Sequence, residues 1–289
     1  APAPSVANVC PPPAGTSLGS RRRATRLRLC RCVLATAVGS AFVLTFTDAW
    51  ERVPVWFSHT LAQSQFVPSI LGLFAGIGLA LAALVTLLVT LMCGRVYCAV
   101  LCPLGLYQDF VWWIRRKFRA PGRFAFRPEN RHLRWTLFWL SLVGALASGG
   151  LILAWVDPYS IFGRISSTVF RDLAIRLSNA FTPLLVAIGL PGWYRVEPVW
   201  FWSTASACTL GFWLLVTTLA AWRGRLYCNT VCPVGTLLGW LAKRARWKLR
   251  LSPTLCRKCA RCWEVCRAQC IDLRRQTIDF SRCILCLDC

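Results

Sequence analysis

Residues 94–105 read Gly94-Arg95-Val96-Tyr97-Cys98-Ala99-Val100-Leu101-Cys102-Pro103-Leu104-Gly105. Residues 224–235 read Gly224-Arg225-Leu226-Tyr227-Cys228-Asn229-Thr230-Val231-Cys232-Pro233-Val234-Gly235. Seven of the twelve positions are identical, at an offset of 130 residues. Each copy follows a long apolar block and precedes an apolar and basic segment, Leu106–Lys117 and Thr236–Lys248. The chain therefore reads as two copies of one membrane unit, an arrangement that places a site between the halves.

Four apolar blocks surround these copies: Cys30–Trp50, Phe66–Cys93, Leu133–Val156 and Phe201–Trp222. Each reaches the ~20 residues that a spanning helix needs, and aromatic residues stand near block ends, where rings favour the lipid–water interface. Gly72 and Gly76 in the second block have the small-xxx-small spacing that lets helices approach closely. Ala180–Trp193 is apolar but short and is interrupted by Pro183 and Pro191, so it reads as interfacial or re-entrant.

Composition agrees with a membrane protein. Hydrophobic residues make up 56% and charged residues 16% of the 289 positions, too apolar for the surface of a soluble domain. The net charge of +23 would suggest nucleic acid in a soluble chain, but its Lys and Arg lie between the apolar blocks. Topology accounts for them, and no nucleic acid is expected. Basic residues crowd 21–31, 94–134 and the region after the fourth block; Arg52 alone lies between blocks one and two. The positive-inside rule then places both termini and the 94–134 loop in the cytoplasm, in a multi-pass bacterial inner-membrane topology with the lipid bilayer as a partner. Residues 1–29 are expected to be a disordered basic tail, rich in Ala, Pro and Ser at its start. Residues 30–132 form the first two-helix unit, 133–249 the second, and 250–289 a separate C-terminal module.

The chain has 17 Cys and 2 His. That ratio points to thiolate chemistry and away from a haem ladder or a His-rich zinc site. In Cys-x3-Cys, residues i and i+4 share one face of a helical turn. The pairs Cys98/Cys102 and Cys228/Cys232 are therefore candidate metal ligands. Each would ligate a metal, act as a redox dithiol, or meet the other pair in a four-thiolate site. Arg95 and Arg225 just upstream are expected to lower the thiol pKa. Cys10, Cys30, Cys32, Cys93 and Cys208 lack such spacing and read as packing residues.

The C-terminal module reads Cys256-x2-Cys259-x2-Cys262-x3-Cys266, then Cys283-x2-Cys286-x2-Cys289. This is the bacterial ferredoxin run, in which three closely spaced thiolates hold one cubane and the fourth ligates the other cluster. A zinc ribbon has no need of three cysteines at this spacing twice. Arg267 stands where the usual Pro follows the fourth cysteine, and Cys270 is additional. In the crossed arrangement, Cys266 joins Cys283, Cys286 and Cys289. The cluster on Cys256, Cys259 and Cys262 is then completed by Cys270, or by a residue beyond Cys289 if the sequence is a truncated product, which is the expectation here.

With these motifs in hand, the chain resembles the 4Fe-4S-binding polyferredoxin membrane proteins of the NapH/NosR-like, Cys-x3-Cys-Pro-repeat type. Shared pieces are Cys102-Pro103-Leu104-Gly105 with Gln108-Asp109, Asp157-Pro158-Tyr159-Ser160 with Gly163-Arg164, Cys228 through Gly235, and Cys270-Ile271-Asp272. The resemblance runs from about residue 66 to the end. It implies one or two [4Fe-4S] clusters and membrane electron transport with membrane or periplasmic redox partner subunits, quinol among them. The expected fold is a membrane all-α, four-transmembrane-helix bundle of two duplicated two-helix units, with a small α+β ferredoxin-like 2[4Fe-4S] module at the C-terminus. The expected function is a one-electron relay within an oxidoreductase system rather than a stand-alone enzyme. The alternative is a copper-type metal-ion reductase or an assembly factor that uses the Cys-x3-Cys-Pro pairs.

Overall fold

A computed structural model of the chain describes residues 18–74, 80–118, 126, 129–187, 194–197, 203–251, 256 and 259–289. Residues 1–17 of the expected tail and Gly76 lie outside them. Helix α1 (Leu18–Thr47) begins well before residue 30, so the tail boundary expected at residue 29 falls inside a helix. Residues 18–29 contain no Pro and are rich in Arg and Leu, both strong helix formers. The basic arm therefore continues the apolar helix. Asp48 ends it by accepting from the backbone N–H of Trp50 and Val53, at 3.2 and 2.6 Å.

The second apolar block is not one helix. It is divided into α3 (Phe66–Phe74), which follows α2 (Val55–Gln63), and α4 (Leu81–Cys93). The Ala83 N–H donates to Ser69 Oγ at 3.3 Å. In a straight helix these residues would stand ~21 Å apart, so the chain doubles back. Gly76 and Gly78 lie in the intervening sequence, and each Gly costs a helix about 1 kcal/mol relative to Ala.

The one-turn helix α5 (Val96–Val100) and α6 (Pro103–Phe118) carry the first cysteine pair. The third block divides in the same way as the second, into α7 (Arg131–Ala147) and α8 (Leu151–Val156). Gly149 and Gly150, at φ +60° and +97°, make the turn. A Cβ on Gly144 would lie 2.9 Å from Ile152 Cγ2, whereas eight residues of straight helix span ~12 Å. Asp157 then caps α9 (Pro158–Ile165), accepting from the Ser160 N–H at 2.9 Å with Pro158 at the first position. One π turn, Ser166–Phe170, joins α9 to α10 (Arg171–Ala187). The stretch expected to be interfacial thus begins as the end of a long helical run; residues 188–193 lie outside the described residues.

The second copy follows: α11 (Thr204–Arg223), α12 (Leu226–Thr230) and α13 (Pro233–Ala242). The C-terminal module contains α14 (Arg261–Val265) and an antiparallel pair, β1 (Ile271–Asp272) and β2 (Thr277–Ile278), with Ile271 opposite Ile278. The fold is mostly helical. Two helical segments are long and apolar enough to cross a membrane, Arg22–Thr47 and Thr204–Arg223. The expected second and third spans are each folded back on themselves.

The two copies pack crosswise: α6 of the first lies on α11 of the second, and α13 of the second on α4 of the first. This exchange also satisfies helix ends, whose last carbonyls lack partners within the helix. Leu91 and Met92 carbonyls accept from the backbone N–H of Arg246 and Trp247 at 2.9 and 2.8 Å. The Ala221 and Trp222 carbonyls accept from Arg115. Leu84 and Leu88 on α4, Leu140 and Leu146 on α7, and Leu214 and Leu215 on α11 face outward, exposed.

Candidate metal centre

The repeated motif has a physical reason at each position. Gly94 and Gly224 follow α4 and α11 at φ +96° and +64°, a backbone that residues with a Cβ adopt at a cost. The chain then makes one turn of helix carrying Cys98 or Cys228. Cys232 caps α13, its Sγ accepting from the Gly235 N–H at 3.3 Å, with Pro233 at the first helical position. Cys102 accepts from the Gly105 N–H in the same way before Pro103. Each second cysteine therefore sits at the positive end of a helix.

The arginines cross between copies. Arg95 Nη2 donates to the Cys228 carbonyl at 3.2 Å, and Arg225 Nη1 donates to the Cys98 carbonyl. The glycine of Cys-Pro-x-Gly makes room for this exchange. A Cβ on Gly105 would stand 2.7 Å from Cys98 O and 2.8 Å from Arg225 Nη1. One on Gly235 would overlap Cys228 O and stand 2.9 Å from Arg95 Nη2. The tyrosines anchor the preceding elements: the Tyr97 hydroxyl donates to Gln65 Oε1 at 2.9 Å and Tyr227 to the Val156 carbonyl at 2.9 Å.

This interlock buries Cys98, Cys102, Cys228 and Cys232 at the seam between the copies. All four are free thiols, and they lie within electrostatic reach of one another. Gln108 Nε2 donates to Cys228 Sγ at 3.0 Å, and Arg95 Nη2 to Cys98 Sγ at 3.7 Å. The expectation that the arginines lower the thiol pKa is corrected here. Burial pushes Cys102, Cys228 and Cys232 up, and at Cys228 it outweighs the charges of Arg225 and Arg95.

Four buried sulfurs with no imidazole or carboxylate among them have the donor chemistry that an iron–sulfur cluster takes. Among the described residues no three His, Cys, Asp or Glu converge tightly enough for a single metal ion. Such an ion needs sulfurs about 3.8 Å apart, whereas a cubane has its own volume and takes thiolates spaced more widely. The four interface cysteines fit such a cluster.

In the C-terminal module, Cys266, Cys270, Cys283, Cys286 and Cys289 line one cavity with Ile271, Ile278 and Ile284. Cys266 Sγ lies 3.5 Å from Cys270 Sγ. The Cys270 thiol donates to Cys266 and, with the backbone N–H groups of Cys270, Ala268 and Gln269, holds the Cys266 thiol down at about 6. Cys283 is likewise lowered by Cys270 and by the Leu285 N–H. Leu285 and Leu287 flank Cys286 at φ +53° and +60°. Non-Gly residues in that region are strained, and successive turns of this kind aim N–H groups at an anion. Cys256, Cys259 and Cys262 form a neighbouring group. Cys270, one of the two completions expected for that group, lies instead with Cys266 and the second run. The donor set fits clusters here as well.

The module docks on the interface site. Arg225 N–H donates to the Arg267 carbonyl at 3.0 Å, Asn229 Nδ2 to the Ala268 carbonyl at 3.1 Å, and Arg95 Nη1 to the Ser281 carbonyl at 3.0 Å. Arg267 pairs with Asp109 at 2.8 Å and with Asp288, which also pairs with Arg28 of α1 at 2.9 Å. Ser281 lies in no motif, Asn229 and Asp109 lie inside motifs whose signal is carried by the cysteines, and Arg267 stands out in the sequence only as a departure from the ferredoxin run.

Residues 74–121 and 207–252 match the model of a 4Fe-4S binding domain. Each matched stretch contains one Cys-x3-Cys-Pro pair, and neither reaches the C-terminal runs. The chain is similar to ferredoxin-type protein NapH of Escherichia coli (strain K12), 28% identical over 193 residues, 66% of this chain and 54% of that protein. It is similar to methylamine utilization ferredoxin-type protein MauN of Methylobacillus flagellatus, 26% identical over 268 residues, 87% of this chain and 80% of that one. NapH of Haemophilus influenzae is 26% identical over 186 residues, 64% and 52% of the two chains. The chain thus spans about half the length of these NapH relatives. No solved structure matches it. The paired motifs, the buried thiols and these matches together point to [4Fe-4S] clusters as the chain's cofactors and to a likeness with the ferredoxin-type proteins.

Proposed function

We propose that the chain is a membrane-embedded relay that passes single electrons between two cysteine-held sites. Cys98, Cys102, Cys228 and Cys232 hold one cluster at the seam of the repeats. The C-terminal cysteines hold the other site, with Cys266, Cys283, Cys286 and Cys289 around one cavity. The clusters supply one-electron chemistry when bound. The chain's residues do the rest: cysteines grip the iron, buried walls exclude water, and N–H groups and guanidinium charge stabilise the thiolates.

The observation that carries this reading is the direct docking of the C-terminal module on the interface site through Arg95, Asn229 and Arg225. Burial of all four interface thiols argues against a reductase or assembly factor that must admit an external metal ion. The outward apolar faces of α1, α4, α7 and α11 support embedding in lipid. Basic residues at the start of α1 and around the module support placing both termini and both sites on the cytoplasmic side, with a membrane or periplasmic partner as the second station.

Anaerobic purification, iron and acid-labile sulfide analysis and low-temperature EPR test it. A Cys98→Ser/Cys228→Ser variant should lose one cluster signal, and Cys283→Ser a different one. A colourless wild-type preparation without labile sulfide would refute the proposal.

A further inference from the structure

The duplicated site is not electrically symmetric. On one side, Arg225 Nε and Nη2 donate to the two oxygens of Asp109, at 2.8 and 2.6 Å. Its charge is matched by a carboxylate. The equivalent of Asp109 in the second copy, 130 residues on, is Gly239. A Cβ there would stand 2.5 Å from the Ser281 carbonyl, so the missing side chain is what admits the C-terminal segment. Arg95 therefore meets neutral groups: Asn229 Oδ1 at 2.9 Å, Ser281 O at 3.0 Å and Cys228 O at 3.2 Å. Nearby carboxylates are engaged elsewhere, Glu129 by Arg134 and Lys243, and Asp279 by Arg282. Among the described residues Arg95 makes no ion pair, and it is fully buried. An uncompensated charge in such a place is expensive to keep. Its contacts say what opposes it: Cys98 Sγ at 3.7 Å on one side, and on the other the Ser281 carbonyl, two residues before Cys283.

We propose that Arg95 is an electrostatic positioning residue whose unmatched charge stabilises the reduced state of the interface centre and links it to the C-terminal centre. This rests on the assignment of the four interface thiols as cluster ligands. The electron that leaves one centre arrives at the other, so one is oxidised as the other is reduced. Arg95 supplies a fixed positive charge, as guanidinium groups do. The more negative reduced interface centre is the state that gains most from the charge. The Arg225 side contributes less, since Asp109, which Arg225 shares with Arg267, offsets its charge.

Potentiometric EPR titration of the intact, cluster-loaded chain tests this. Arg95→Gln should lower the reduced-to-oxidised ratio of the interface centre at least tenfold at fixed potential, a downward shift of about 59 mV for one electron. Arg95→Lys keeps the charge and should restore most of the ratio. Asp109→Asn exposes the charges of Arg225 and Arg267 and should shift the ratio upward. If Arg95→Gln retains its clusters and titrates within twofold of wild type, or if Gln and Lys shift the ratio equally, the inference is overturned. If Arg95→Gln does not hold its clusters, Asp109→Asn decides, and no upward shift overturns the inference. The ligand assignment fails separately: it falls if Cys98→Ser/Cys228→Ser keeps full iron and labile sulfide.

Discussion

Replacing Gly105 by Ala puts one methyl group where the two copies interlock. The new Cβ would lie 2.7 Å from the Cys98 carbonyl and 2.8 Å from Arg225 Nη1. Both atoms must retreat by about 0.7 Å to reach ordinary contact distance. Neither can do so freely. The carbonyl belongs to the turn that aims Cys98, and Arg225 is fixed on Asp109 by bonds of 2.8 and 2.6 Å. The methyl also wedges apart the Arg225–Cys98 hydrogen bond. Overpacking costs about 1–3 kcal/mol, and a weakened hydrogen bond to a charged group about 1.5–3 kcal/mol. Ala returns about 1 kcal/mol of helix propensity. The net loss is about 2–5 kcal/mol, or roughly 4–10 °C in melting temperature for a chain of this size. Gly235→Ala should be harsher, because its Cβ overlaps the Cys228 carbonyl outright. Gly211 in α11 is the control, since its Cβ would meet nothing within 4 Å. Gly211→Ala should melt no lower than wild type. The assay is thermal unfolding in detergent, with iron content measured in parallel. Gly105→Ala melting within 2 °C of wild type, with full iron, would refute the interlock argument.

Two further outcomes follow from the docking contacts. Arg267→Met removes one cation from Asp109 and one from Asp288, but Arg225 and Arg28 remain. The loss should therefore be about 2 kcal/mol rather than the ~3–5 kcal/mol of an orphaned buried charge. It should appear as faster amide exchange in residues 283–289 with α4 and α11 unchanged. At Glu129, burial pushes the carboxyl up, but the Lys243 hydrogen bond, the Arg134 charge and the Ser281 hydroxyl together hold it below its usual range. A carboxyl lowered on folding stabilises fully above its unfolded pKa and loses that contribution as pH falls through the folded one. Glu129→Gln should therefore melt below wild type at pH 7, and the gap should narrow towards pH 4. A gap independent of pH would refute the charge-based account.

The cysteine sites were legible because their information is local. Spacings of two and three residues place thiolates together whatever the rest of the chain does, and a motif repeated at a fixed offset announces a shared seam. The spans were less legible. Apolar content reports where a segment prefers to be, not whether its helix is continuous. Gly149 and Gly150 turn the third block back at positive φ, and nothing in its hydropathy records that. The tail at residues 18–29 misled in the opposite direction, because charge suggested solvent while Leu, Ala and Arg carried helix propensity. The contacts of Arg95 with Asn229 and Ser281 join segments 134 and 186 positions apart. No spacing rule reaches that far.

One long-range feature was nonetheless written in the repeat. A perfect duplication would give two equivalent faces and two equivalent arginine–carboxylate pairs. The C-terminal module meets the two faces through different contacts, so the faces differ. The difference lies where Asp109 in the first copy becomes Gly239 in the second. On one face the carboxylate binds Arg225 and the module's Arg267, and on the other the glycine admits the Ser281 carbonyl. The same exchange that makes room for the partner strips Arg95 of its counter-charge. Docking and electrostatic bias are therefore one feature. Gly239→Asp, whose Cβ would stand 2.5 Å from Ser281 O and 2.7 Å from Arg134 Nη2, should displace the Ser281 segment and its bond from Arg95, whereas wild-type iron content and melting temperature would show that docking does not need the glycine.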